Sequence, residues 1–215
     1  MKSPASLHSR SRLILFVAAV SLVVVYFFPI WQIDLEAPQY PEGLGMEIWV
    51  NTVTGKEPGN LQSINGLNHY IGMKEIKPDT IPELKYMPWI VATLIVLGLG
   101  AAWINRRWAL YTWAFLFLVA SVAGMVDFYI WEYNYGHNLD PTAAIKIPGA
   151  TYQPPLIGSK KMLNITAHSW PAFAGIVMIL SCMTACGLSA FEWWTARQSN
   201  TGSAEAQGRK KATVA

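Results

Sequence analysis

Apolar residues in this chain fall into four long blocks, separated by two long mixed stretches. A lipid-crossing helix needs about 20 mostly apolar residues. Leu13 to Trp31, Tyr86 to Asn105 and Trp108 to Val126 carry no charged residue. The third block stays apolar past Asp127 as far as Trp131. The fourth, Met162 to Phe191, has no ionisable acid or base beyond His168, and is densest from Trp170 onward. These blocks predict four transmembrane helices over 12–30, 87–105, 108–131 and 170–192, hence an all-α membrane protein.

The polar residues between the blocks set an orientation. Arg10 and Arg12, with Lys2, precede the first span; Arg106 and Arg107 fill the turn at 106–107; Arg197, Arg209, Lys210 and Lys211 follow the fourth. With four spans all three basic clusters lie on one side, which the positive-inside rule makes the cytoplasm. Residues 1–11 are then a cytoplasmic leader, 31–86 and 132–169 are outward-facing loops, and 193–215 is a cytoplasmic tail. From residue 198 the tail is rich in small and polar residues without periodicity, and is expected to be disordered. No small-x-small cleavage site follows the first span, so an uncleaved signal anchor is expected. Eight of the ten Trp fall at span ends (Trp31, Trp89, Trp103, Trp108, Trp131, Trp170, Trp193 and Trp194), the pattern of aromatic belts, which supports the same boundaries.

Composition narrows the class. Apolar residues make up 53% of the chain and charged ones only 13%, against about 25% in a soluble domain. That argues against a disordered chain or an ordinary cytosolic enzyme, and a net charge of +3 is too small to argue for nucleic acid. Cys182 and Cys186 stand four apart within the fourth span, on one helix face. Small-residue helix packing is their ordinary explanation, with a thiolate metal site as the alternative. The outer loops carry enough apolar residues to pack, and together they are expected to form a small cap. Residues 46–50 read as a short strand, Asn65-Gly66 as a turn and 66–73 as a short surface helix. The proline-rich stretch 141–158 reads as ordered coil.

Candidate chemistry collects on the outward side. If 66–73 is helical, His69 and Met73 share a face, and a thioether beside an imidazole suits Cu(I). His137 follows the third span and His168 precedes the fourth, completing a candidate copper-ligand set. The competing reading is ordinary structural histidines, since no CxxC, HxxxH or methionine run is present. His8, in the leader, reads as incidental. Asp127 and Glu132 are carboxylates near the outer interface, either anchoring the second loop or serving as a hard ligand or proton acceptor beside His137. No span core contains the paired His of a membrane cytochrome. Phosphate-loop, dinucleotide, nucleophile-elbow and zincin motifs are absent. Nothing in the residues supports an enzyme.

Several loop segments are distinctive: Tyr40-Pro41-Glu42-Gly43-Leu44, then Ile64 to Lys74 with Asn65-Gly66-Leu67-Asn68-His69-Tyr70 at its centre, then Asp127-Phe128-Tyr129. Tyr135-Gly136-His137-Asn138-Leu139-Asp140-Pro141, Ile147-Pro148-Gly149 and Tyr152 to Gly158 follow. Across roughly residues 12–195 the chain resembles a family of small four-span bacterial membrane proteins found in nitrous oxide reductase gene clusters. That reductase is a periplasmic multicopper enzyme. The resemblance implies a bacterial inner-membrane protein, N-in and C-in, with its loops in the periplasm. It implies a non-enzymatic accessory role in denitrification, in copper delivery or reductase maturation, with the reductase or a copper chaperone as partner. Two alternatives stand beside it: a docking scaffold without metal, and a quinone-linked electron-transfer component.

Overall fold

The computed structural model of the protein describes residues 6–145, 149, 151–162 and 164–214, with side chains as far as Gln198. Lys2, Ile147 and Pro148 lie outside the described residues. In chain order the elements are α1 (Ser9–Ser21), running into a 3-10 helix (Leu22–Tyr26), β1 (Trp31–Ala37), β2 (Tyr40–Ile48), β3 (Val53–Gly55) and α2 (Asn60–Ile71). They continue with α3 (Glu83–Ile104), α4 (Arg107–His137), β4 (Gly158–Met162), β5 (Ile165–Pro171) and α5 (Phe173–Val214).

Four helical stretches are long and apolar enough to cross a membrane: Ser9–Tyr26, α3, α4 and Phe173–Gln198. Asn105 takes the left-handed conformation (φ 55°) that ends α3 and lets α4 start almost at once. Inside the bundle Leu15, Ala19, Leu22, Leu110, Trp113, Phe117 and Ala185 form one core. Gly98 makes the tightest approach there: a Cβ on it would lie 2.7 Å from Ala19 Cβ and 2.8 Å from the Trp113 ring. The Trp113 indole donates to the Leu94 carbonyl at 2.8 Å, so its polar atom is satisfied in an apolar setting. Leu13, Phe115, Leu118 and Leu180 point outward, where lipid would meet them.

At one end of the bundle, Glu192 is fully buried and accepts from Arg107 Nε at 3.1 Å, from the His8 backbone N–H at 3.0 Å and from His8 Nδ1 at 3.0 Å. The leader, the α3–α4 turn and α5 are thus tied at one point, and His8 is an anchor rather than incidental. Past it, α5 continues as helix to Val214, where the pattern predicts disorder.

The opposite end is not all-α. A five-stranded antiparallel sheet in the order β3-β2-β1-β5-β4 sits there. The reason lies in the bundle below it. The end of the first span and the start of α5 lie side by side, so the segments beyond them run adjacent. Ala172 and Ala174 donate to the carbonyls of Ile30 and Pro29, and pairing then runs from Trp31↔Pro171 to Glu36↔Thr166. The two long loops are therefore one unit. Trp31, Ile33, Leu35 and Ala37 point to one face of β1, while Gln32, Asp34 and Glu36 point to the other. The apolar face closes over Leu44, Met46, Val53, Ile64, Ile76, Ile81 and Leu84.

Several expected boundaries change. The first helical span ends at Tyr26 rather than residue 30, ahead of Pro29. Residues 170–171 belong to β5, so the fourth span starts at Phe173. Asn65-Gly66 is no turn but lies inside α2, and the strand expected at 46–50 is β2, Tyr40–Ile48. Trp89 and Trp103 are 74% and 82% exposed, as belt residues would be, but Trp31 is buried at 6% against Phe128. Its indole donates to Ser169 Oγ at 2.8 Å, and that hydroxyl reaches the Leu156 carbonyl at 3.2 Å. Ser169→Ala should leave both groups unpaired at a buried site and cost about 2 kcal/mol. Chemical-denaturant melts of the solubilised protein would read it; an unchanged midpoint would refute that role for the seam.

α4 positions the site. Its 31 residues are about 46 Å long at about 1.5 Å each, against about 30 Å of hydrocarbon. Its antiparallel neighbour α3 begins at Glu83, whose charge acts on Asp127. The turns of α4 beyond that level are in excess of that thickness and enter the cap.

Candidate ligand cleft

Between the apolar sheet face, the end of α2 and the upper turns of α4 lies a cavity of about 420 Å³. A fourth wall is the segment before β4. It is held by Asp140 N–H to Gly72 O, Ile145 N–H to Tyr70 O and Tyr152 N–H to Gly136 O. Gly136 is required for this closure, because a Cβ there would fall on the backbone of Gln153. The lining is mostly apolar, with Tyr40, Tyr70, Trp131, Tyr135 and Tyr152 as its aromatic members. Trp131 and Tyr135, one turn apart on α4, have ring centroids 4.2 Å apart.

Glu132 is in the wall of this cavity and is fully buried. Neither carboxylate oxygen has a hydrogen-bond partner among the described residues, and neither does the Tyr152 hydroxyl. Burial pushes the Glu132 carboxyl up to about 7, since an apolar surrounding disfavours the charged form. Asp127, five residues earlier, is exposed. The two carboxylates therefore occupy different faces, one toward solvent or lipid headgroups and one toward the cavity.

The histidines do not converge. His69 is exposed on α2, edge-on to Tyr70 with centroids 6.2 Å apart. Its expected partner Met73 is not on that helix face. Gly72 (φ 81°) ends α2, and the Met73 N–H turns back to the Asn68 carbonyl, so Met73 lines the cavity instead. His137 ends α4, stacked on Tyr133 at 3.9 Å with Nδ1 3.0 Å from the Tyr133 carbonyl. His168 is on the polar face of β5, cross-strand from Asp34, with Nδ1 2.6 Å from Ser159 Oγ and Nε2 3.5 Å from Glu36. The sheet itself stands between His168 and the cavity. Among the described residues no three His, Cys, Asp or Glu side chains are grouped to hold a metal ion. Cys182 and Cys186 are free thiols in the bundle, the first of them in its core.

The sequence pattern flags Glu132 but not its burial, and it misses Tyr152. A local signal existed: Gly136 follows Glu132 by one helical turn, marking a face where another segment comes close. No family model matches the chain, and no curated protein matches it in sequence.

Proposed function

We propose that this chain is a non-enzymatic accessory protein of a bacterial inner membrane, with both termini cytoplasmic and its sheet-bearing cap in the periplasm. In this reading it assists maturation of nitrous oxide reductase, and it does so by docking rather than by carrying copper on its histidines. One observation carries the reading. The two long loops are joined through β1 and β5 into a folded cap at the end of the bundle away from the basic clusters. Four helices long and apolar enough to cross a membrane support the reading that this cap lies at a bilayer surface. The partner comes from the family resemblance of the loop segments. The docking mode is favoured because His69, His137 and His168 each have separate local contacts.

The test is the copper content of nitrous oxide reductase purified from cells with and without this protein. Loss of copper is expected on deletion, and full copper is expected with a His69→Ala/Met73→Leu/His137→Ala variant. Copper loss in that variant would instead favour direct copper carriage. Unchanged copper after deletion would overturn the maturation role altogether.

A further inference from the structure

We propose that the cap cavity binds an apolar ligand carrying a primary ammonium group, with Glu132 as the counter-charge. The inference is independent of the reductase reading. At about 420 Å³ the cavity lies within the roughly 300–1,000 Å³ range of small-molecule sites. Its walls include Ile33, Leu35 and Ile64, so the body of the ligand must be apolar.

The sign of the polar group follows from the lining. Glu132 is the one charged side chain among the described lining residues. Among the described lining residues no Lys, Arg or His meets an anion, and an anion would face the carboxylate directly. A purely apolar guest would leave the buried carboxyl unpaired, at full desolvation cost. A cation removes that cost.

The type of cation follows from the unpaired atoms. Both Glu132 oxygens and the Tyr152 hydroxyl lack partners among the described residues. Tyr152 is held against α4 by its own N–H to Gly136, one turn above Glu132, and so lines the same wall. An ammonium offers three N–H donors and no acceptor, which suits a lining with unpaired oxygens better than a quaternary nitrogen. The Trp131 and Tyr135 rings beside it add faces to which a cation is attracted.

The test uses the full chain in zwitterionic-lipid nanodiscs, with equilibrium dialysis at about pH 8 and empty nanodiscs as the blank. Three probes share one ring: phenethylammonium, 2-phenylethanol and 3-phenylpropanoate. Phenethylammonium should bind at roughly one per chain, at least about tenfold tighter than the alcohol, with no binding of the carboxylate. Glu132→Gln should lose that tenfold preference while still unfolding in one cooperative transition no lower than the wild-type chain's, and Tyr152→Phe should weaken binding by a smaller factor. Absence of saturable ammonium binding would overturn the proposal and leave a water-filled cavity. Equal affinity for the alcohol, or a preference that survives Glu132→Gln, would overturn it as well.

Discussion

At pH 8 the Glu132→Gln variant should unfold well above the wild-type chain, whereas at pH 5 the two should unfold almost together. The carboxyl sits fully buried without a hydrogen-bond partner among the described residues. Its ordinary value of 4.5 is raised to about 7 in the fold. Between those values the folded chain binds more protons than the unfolded one, so stability falls as pH rises. It is highest below about 4.5, declines through the interval, and is level above about 7. The full penalty is about 3 kcal/mol, since each tenfold change in proton affinity is worth roughly 1.4 kcal/mol. Glutamine keeps the shape and cannot ionise, so it removes the decline. The described cavity wall brings no other charged side chain to Glu132, so the decline should be that of a single group. Thermal melts in detergent from pH 5 to 8 would measure it. Parallel curves for the two proteins would mean that Glu132 is hydrated and that the cavity is open to water. A bound ammonium should flatten the wild-type curve in the same way as the substitution, because it supplies the missing charge.

This dependence on a non-local closure is also why the site is only half visible in the residues. The spans are legible because lipid contact demands long uninterrupted apolar runs, a local requirement. β1 has an equally local signal, the strict alternation from Trp31 to Ala37. It directly follows the first apolar block, and a hydropathy reading absorbs Trp31 into that block. β5 has no such signal. Its buried positions include Ala167 and Ser169, which become strand residues only because β1 lies beside them. Pairing His69 with Met73 requires a helix through residue 73, and Gly72 cuts it short. Assigning both loops to one end of the bundle groups several residues of the cap, but that says nothing of the faces of a sheet. His168 and Met73 are on opposite ones. Glu132 and Asp127 look alike along the chain, and they differ because the segment at 152–153 closes over only one of them.

The junction between bundle and cap should be the point of greatest sensitivity, and Gly175→Ala should test it. Gly175 sits in the first turn of α5, against the chain that leaves the first span. A single added methyl would fall on the carbonyl oxygen of Ile30, with Pro171 Cβ at 3.3 Å behind it. Backbone cannot step aside as a side-chain tip can, so α5 must move away from residues 29–30. That movement stretches the Ala172-to-Ile30 and Ala174-to-Pro29 hydrogen bonds. Those two bonds start the β1–β5 ladder, whose next pair is Trp31↔Pro171. The expected cost is about 3 kcal/mol, the upper part of the range for overpacking at a close contact. The loss should concentrate in the cap. Hydrogen exchange should rise in β1 and β5 while the α3–α4 contact, built on Gly98 and Trp113, keeps its protection. Gly187→Ala is the control, since nothing lies within 4 Å of a Cβ there on the same helix. Equal exchange in the two variants would show that cap and bundle are held together by something other than this contact. A selective rise at β1 and β5 would show that the strands depend on the helices beneath them being in register.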